Sequence, residues 1–200
     1  MKKVVFILSL FAVPAVCAAG QDGPEIPVPG APIAAEDLAA RFNRADANLG
    51  ALRNSLTWVS RDLDELDRRA NNILQTHTAD SFFQSDLDRA SRDMSRRVED
   101  LRLLSGEIKN LLDLAQKDPQ LNKSAKSMDW SARDILARSW PTMQDSAGRL
   151  ESTVGFGDPQ LLGYNAQWLA RDISRNARQF TDLARTAAAD TKSLAAKTQP

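Results

Sequence analysis

The sequence predicts an all-α protein: an antiparallel up-down four-helix coiled-coil bundle with long helices, preceded by a signal peptide and a proline-rich linker. Two observations predict this fold. Apolar residues recur at alternating spacings of four and three over four long segments, which is the heptad seam of packed helices. A tetrad, Ala or Ser followed by Arg-Asp and an apolar residue, begins at Ser60, Ser91, Ala132 and Ala170, once in each segment. The repetition indicates a duplicated helical unit.

The first 19 residues have the pattern of a signal peptide. After two lysines an apolar run extends from Val4 to Val16, which suits the h-region of a signal peptide and is too short to span a bilayer. Cleavage after Ala18 or Ala19 leaves small residues at the positions that signal peptidase reads. Cys17 lacks the preceding residues of a lipidation motif, so we expect no lipid anchor. The prediction is a bacterial protein that is periplasmic or secreted.

The composition excludes several classes of function. Cys17 is the only cysteine and is predicted to leave with the signal peptide, so we expect no disulfide, thiol nucleophile or thiolate metal site. Without Lys2 and Lys3 the mature chain has 24 basic and 26 acidic residues, a net charge of −2. This balance attracts neither nucleic acid nor an anionic membrane surface. No other stretch is apolar enough for a transmembrane segment.

Residues 20–33 contain four prolines and three glycines. Such a composition buries no core and favours extended, polyproline-like conformations. We therefore expect a flexible linker, followed by the bundle over residues 34–197. The seams predict four helices, which we place at about 34–76, 80–116, 119–154 and 159–197.

The first two helices are predicted from long heptad seams. The first seam consists of Leu38, Phe42, Ala45, Leu49, Leu52, Leu56, Val59, Leu63, Leu66, Ala70 and Ile73. The second consists of Phe83, Leu87, Ala90, Met94, Arg97, Leu101, Leu104, Ile108, Leu111 and Ala115. Its one polar member is Arg97, which the neighbouring Val98 can replace in the core. Ser81 and Gln84 have the spacing of a capping box at the start of this helix.

The third and fourth helices have seams of the same kind. The third consists of Leu121, Ala125, Met128, Ala132, Leu136, Trp140, Met143, Ala147, Leu150 and Val154. It contains two successive steps of four, a stutter, and Pro141 should kink the helix near residues 137–141. The fourth consists of Leu162, Ala166, Leu169, Ile173, Ala177, Phe180, Ala184, Ala187, Thr191 and Leu194. Since the connections are short, we expect consecutive helices to run antiparallel.

Two matching tetrapeptides predict helix starts. Asp118 and Asp158 each precede Pro-Gln-Leu, with Asp as N-cap and Pro at the first helical position. Gly155 and Gly157 should end the third helix. The segment 154–161 looks like stretches in the helical tails of bacterial mammalian-cell-entry lipid-transfer proteins. The β-domain that defines that family has no counterpart in this sequence, so we assign the chain to no family.

The sequence contains no recognisable catalytic or metal-binding pattern. His77 is the only histidine and lies in a predicted turn, so we expect no histidine-dependent triad and no metal site. The acidic run over residues 62–67 lacks the glycine-containing spacing of a calcium loop. We interpret the protein as a non-enzyme without a cofactor.

One candidate partner surface stands out. A tryptophan precedes the tetrad arginine by three residues in three of the four copies, and Arg89 occupies that position in the remaining one. The surface consists of Trp58, Arg61, Arg89, Arg92, Trp130, Arg133, Trp168 and Arg171. Two interpretations of the tryptophans differ in the role that they give to each ring. Each tryptophan either covers the bundle flank, stacked by its own arginine, or anchors a binding partner. We favour the first.

The predicted function is that of a non-catalytic structural or interaction module of the bacterial envelope. Its partner would be another envelope protein or a second copy of itself, and not nucleic acid. The alternative is a carrier or binder of lipids or other hydrophobic ligands, in which the amphipathic helices open to expose their apolar stripes. The narrow seams favour the first interpretation, because membrane-adsorbing helices carry broader apolar faces.

Overall fold

The computed structural model describes residues 35–200, with side chains from Asp37 onward. The described part of the chain consists of helices and the turns between them, and contains no β-strand. The all-α prediction is therefore confirmed. The predicted signal peptide and linker, residues 1–33, lie outside the described residues.

Six α-helices and one π-helical segment make up this part of the chain. They are α1 (Ala35–Thr76), α2 (Phe83–Leu114), α3 (Pro119–Asp134), the π-helical segment (Ile135–Ser139), α4 (Trp140–Gly155), α5 (Pro159–Leu162) and α6 (Ala166–Lys197). The starts of α3 and α5 are capped as their sequences predict. The Asp118 carboxylate accepts from the backbone N–H of Gln120 at 2.7 Å, and that of Asp158 accepts from Gln160 at 2.8 Å. The expected Ser81–Gln84 box is not formed: α2 has Phe82 rather than Ser81 as its N-cap, and the Asp80 carboxylate accepts the N–H of Phe82.

The predicted seams supply most of the core. Nearly every seam residue is buried, and Val98 replaces Arg97 as expected. In the first two seams, Val59 and Ala90 are only half-buried, and the serine that follows each of them is buried instead. Ser60 contacts Ser146 of α4 with 3.2 Å between the hydroxyl oxygens. A hydrogen bond to another helix therefore brings a polar side chain into the seam at this position.

The π-helical segment changes the third seam. Pro141 has no N–H, and just before it the N–H of Trp140 donates to the carbonyl of Ile135, five residues back. The wider turn contains one extra residue, so the buried positions run 132, 135, 140 rather than 132, 136, 140. Ile135 is therefore fully buried and Leu136, a predicted seam residue, is only half-buried.

The predicted fourth helix is interrupted near its start. After α5 the chain turns at Gly163, whose φ is 96°, and α6 begins at Ala166. A residue other than glycine would be strained at this φ. A Cβ on Gly163 would also lie 2.3 Å from the Gln84 side chain at the start of α2. The break therefore brings the start of α6 against the start of α2.

Side-chain contacts between helices define their relative directions. Arg41 near the start of α1 pairs with Glu107 near the end of α2 at 2.9 Å, and Arg69 near the end of α1 pairs with Asp86 at 2.7 Å. These two helices run in opposite directions. In contrast, α1 and the α3–α4 pair run in the same direction. Ser124 near the start of α3 donates to Asn43 at 2.7 Å, and Thr153 near the end of α4 donates to Asp67 at 2.6 Å.

Helices α2 and α6 also lie side by side in the same direction. Ser91 donates to Asp172 at 2.7 Å, and Asn176 donates to Ser95 at 3.0 Å. The main neighbours of α2 are thus α1 and α6, while α3, which follows α2 in the sequence, packs on α1 and α6. As a result, one end of the packed helices contains the end of α1, the start of α2, the end of α4 and the start of α6.

Candidate functional site

The three tryptophans of the repeated motif lie on exposed faces of their helices. The exposed fraction is 64% for Trp58, 55% for Trp130 and 63% for Trp168. All three lie outside the seams, as the heptad phase predicts. More than half of each residue is accessible to solvent.

Trp58 is stacked by the arginine of its own motif. The guanidinium carbon of Arg61 lies 5.1 Å from the centroid of the Trp58 ring. Since the two residues are three positions apart on α1, their side chains are neighbours on the helix surface. This is the intrahelical cation-π pair that the sequence predicts.

Trp130 is stacked by an arginine from another helix. Arg53 of α1 lies 4.5 Å from the centroid of the Trp130 ring, and it also faces Asp134 of α3 at 3.9 Å. The arginine of the same motif, Arg133, pairs with Asp129 one turn earlier. The prediction that Trp130 is stacked by the arginine of its own helix is therefore wrong. Asp129 holds Arg133 instead, and α1, which runs parallel to α3, brings Arg53 over the ring.

Trp168 has a third environment. It lies beside the start of α2, in a shallow surface depression that Ser81, Gln84 and Asp88 also line.

The arginines of the second motif copy pair with carboxylates of their own helix. Arg89 contacts Asp86 at 2.6 Å and Arg92 contacts Asp88 at 2.8 Å. The repeated motif therefore has no single three-dimensional form.

A second exposed surface was not predicted from the sequence. Four aromatic side chains, 63 to 93% exposed, lie where α1 ends, α2 begins, α4 ends and α6 begins, and we call this surface the aromatic end: Phe82, Phe156, Tyr164 and Trp168. The turns that carry them are packed on the helix ends. Gly157 approaches Leu74 of α1 so closely that an added Cβ would lie 3.2 Å from it, and Gly163 approaches Gln84 of α2.

Several charged groups beside the aromatic end are paired with one another, while Arg171, three residues after Trp168, is exposed and pairs with no carboxylate of the described residues. Arg69 contacts Asp80 at 2.6 Å and Asp86 at 2.7 Å. The hydrogen bond from Arg69, followed by that from the N–H of Phe82, lowers the pKa of Asp80 below its ordinary value. Asp158 is used as the N-cap of α5. In the part of the chain that the structure describes, this surface therefore has the single exposed Arg171 and no cluster of basic side chains to attract an anionic ligand.

The turn sequences contain a feature from which the exposed aromatics of this end could have been predicted. Phe82 precedes the first residue of α2, Phe156 stands between two glycines, and Tyr164 follows Gly163. Aromatic residues in short turns have no seam to enter, so exposure could have been predicted for each. Their gathering at one end could not, because it depends on which helices are neighbours.

Among residues 35–200, no group of three or more His, Cys, Asp or Glu side chains is arranged to hold a metal ion. In the same range, no helix has both the length and the apolar character needed to cross a membrane. A groove of about 750 Å³ between α1 and α2 is open to solvent and lined by charged residues that include Arg41, Arg97 and Glu107.

Comparison with known proteins yields no relative: no family model matches the chain, and no match was found among curated proteins or solved structures.

Proposed function

We propose that this protein is a non-catalytic, exported four-helix bundle that acts as a structural or interaction module of the bacterial envelope. In this proposal two antiparallel hairpins, α1–α2 and α3/α4–α6, pack side by side. The observation that supports it is the difference in solvent exposure between the seam side chains and the aromatic side chains outside the seams. The large seam side chains are almost completely buried, while aromatic side chains are left exposed outside them.

The exposed tryptophans support a partner surface on the flanks. Trp58 and Trp130 are more than half exposed, and an arginine lies over the ring of each. Tryptophan and arginine are the side chains most enriched at binding hot spots. We therefore now favour the anchor interpretation over the cover interpretation for these two residues.

The competing proposal, a carrier of lipids or other hydrophobic ligands, requires the helices to separate. Residues such as Phe42, Phe83 and Phe180 are fully buried in the described structure and would have to be exposed to a ligand. Each such side chain contributes about 1.5 to 3 kcal/mol to the burial that opening would reverse. The closed seam therefore supports the interaction module.

Affinity capture from the native envelope tests the proposal. The test variant replaces Trp58 and Trp130 together by Gln and leaves Trp168 unchanged, because that residue also belongs to the aromatic end. The matched control is Leu103→Gln, which removes an apolar side chain of 66% exposure outside the motif. We expect the tryptophan variant to stay folded, with no more destabilisation than the loss of two exposed cation-π pairs explains, and to lose a partner that the control retains. Equal partner recovery by both variants would refute a flank binding site.

Export is tested by the intact mass of the protein recovered from the envelope or medium. We expect a mature chain that begins at Ala19 or Gly20 without an acyl group, because the apolar run from Val4 to Val16 and the small residues after it fit signal peptidase. A retained N-terminus or an acylated Cys17 would contradict the proposed localisation.

A further inference from the structure

We propose that the aromatic end is a membrane-contact surface, which places Phe82, Phe156, Tyr164 and Trp168 in the headgroup region of a zwitterionic lipid bilayer. This surface is distinct from the flanks that carry Trp58 and Trp130. The inference goes beyond the proposed interaction module, and it does not depend on a protein partner.

The chemistry of the exposed side chains supports a lipid interface. The large apolar side chains exposed at this end are all aromatic, and two of them carry a polar atom on the ring. Tryptophan and tyrosine concentrate at the membrane–water interface because their rings are apolar and their N–H or O–H group remains hydrated. Phe156 is 93% exposed at the tip of a turn, a position from which its ring can enter the headgroup layer without moving the helices.

The position of the surface also fits a planar partner. The aromatics lie at the tips of helix ends and turns, whereas a groove would be needed to hold an extended peptide or a helix. Neither the start of α1 at Ala35 nor the end of α6 at Lys197 lies at this end, because α1 begins and α6 ends at the opposite one.

The charges indicate a zwitterionic rather than an anionic lipid surface. Binding to anionic lipid relies on clusters of Lys and Arg. At the aromatic end Arg69 is held between Asp80 and Asp86, and Arg89 also pairs with Asp86. Since these ion pairs neutralise the side chains involved, they add no net charge to the surface.

A second copy of the chain is a weaker candidate for the occupant. An aromatic side chain buries about 150 to 250 Å² when fully enclosed, so four partly exposed ones provide on the order of 600 Å² per copy. A stable protein interface buries about 800 Å² on each partner, so a second copy would also have to bury polar neighbours of the aromatics such as Gln84 and Asp88. A bilayer sets no such requirement, because each ring inserts without a matching pocket.

Fluorescence quenching by brominated lipids tests the proposal at the level of single residues. One variant, Trp58→Phe/Trp130→Phe, keeps Trp168 at the aromatic end. The matched variant, Trp130→Phe/Trp168→Phe, keeps Trp58, which has nearly the same exposure, 64% against 63%. Both keep the buried Trp140 as a common background. Each full-length variant is mixed with phosphatidylcholine vesicles whose acyl chains are brominated, with and without added phosphatidylglycerol.

We expect the vesicles to quench the variant that keeps Trp168 and to leave the variant that keeps Trp58 unquenched, with little effect of phosphatidylglycerol or salt. In a triple variant, Phe82→Ser/Phe156→Ser/Tyr164→Ser, the affinity for vesicles should fall by about tenfold or more. The reason is that three aromatic rings that the bilayer would bury are removed. Circular dichroism confirms that it is folded. Equal quenching of the two tryptophan variants overturns the proposal, because it would indicate contact through residues 4–16 or through the flanks. Absence of quenching, or binding that requires phosphatidylglycerol, also overturns it.

The outcomes are separate from those of the partner capture experiment. A protein that loses its envelope partner with the flank variant but shows no Trp168 quenching would retain the proposed function and lose this inference. If Trp168 is quenched but the flank variant keeps its envelope partner, the membrane-contact inference would stand and the flank binding site would not.

Discussion

The Oγ of Ser91 donates a hydrogen bond of 2.7 Å to Oδ2 of Asp172, and the two residues belong to different copies of the same tetrad. Ser91 opens the copy in α2, and Asp172 is the third residue of the copy in α6. The two copies meet because α2 and α6 run side by side in the same direction. Asp172 also accepts from Asn176 at 3.2 Å and pairs with Arg175. One copy of the repeat thus supplies a carboxylate that holds two helices together.

Replacement of Asp172 by Ala should destabilise the protein by about 1 to 3 kcal/mol, because Ser91 and Asn176 would lose a buried acceptor. The matched control is Asp62→Ala, which removes the equivalent carboxylate of the first copy, where the residue is exposed. We expect the control to cost less than about 1 kcal/mol. Urea unfolding of both variants measures the difference. Equal costs would mean that the α2–α6 contact contributes little to stability.

A comparison of two leucines on α2 tests the phase of the seam. Leu101 is 1% exposed and Leu103 is 66% exposed, although they are only two residues apart. Leu101→Ala should cost about 2 to 5 kcal/mol, since it removes buried surface and leaves a cavity. Leu103→Ala should change stability by no more than about 0.5 kcal/mol. The free energies of unfolding in urea should therefore differ clearly, and the reverse ranking would mean that the helix is rotated relative to its neighbours.

The seams could be predicted because burial of one face of a helix requires apolar residues every three to four positions, whatever the partner helix is. The exceptions depend on tertiary contacts. Ser60 is buried because Ser146 lies opposite it on α4, more than 80 residues away in the sequence. The presence of Pro141 predicts a disturbed helix. The sequence around it does not show whether the disturbance is a kink or the wider turn that buries Ile135 in place of Leu136.

The candidate surface was only partly predictable for the same reason. The heptad phase places Trp58 and Trp130 outside the seam, and both are exposed. The arginine over Trp130 comes from α1, so its identity depends on the parallel course of α1 and α3. The aromatic end depends on the same packing, because Phe82 and Phe156 are far apart in the sequence and share a surface only when α2 begins where α4 ends.

The ion pair between Arg69 and Asp80 should make stability depend on acid pH. The pKa of Asp80 is lowered in the folded protein, mainly by the hydrogen bond from Arg69, so the folded state favours the charged carboxylate. Its contribution is complete above the ordinary pKa of an unfolded Asp, about 3.9, and is lost as the pH falls from there through the lowered folded value. Because both side chains are partly exposed, we expect less than about 1 kcal/mol.

Thermal unfolding of wild type and Asp80→Asn at several pH values, from neutral to below the ordinary Asp pKa of about 3.9, measures this dependence. The variant should be less stable than wild type at neutral pH, and the two should converge as the pH falls. Asp62→Asn provides the control, since its carboxylate is exposed, and it should follow the wild-type profile. A constant difference between Asp80→Asn and wild type over the whole range would show that the ion pair is not the cause.

Replacement of Trp140 separates a structural tryptophan from those of the repeated motif. Trp140 is 3% exposed, its ring stacks on that of Phe180 with 5.0 Å between centroids, and its Nε1 donates to Gln144 at 3.0 Å. Trp140→Ala should cost about 3 to 5 kcal/mol, because it empties the core position that follows the π-helical segment. Trp140→Phe should cost less, since it retains a ring against Phe180 and leaves an exposed Gln144 free to bind water.

Trp58→Ala is the corresponding change on the flank, and it should cost no more than about 1 kcal/mol, the value of an exposed cation-π pair such as the one with Arg61. Urea unfolding followed by circular dichroism gives all three values without relying on tryptophan fluorescence. If Trp58→Ala were as destabilising as Trp140→Ala, the flank tryptophan would be a cover of the helix surface, and the binding role that we propose for it would lose its support. A small cost leaves its exposed ring unexplained by stability and therefore available to a partner.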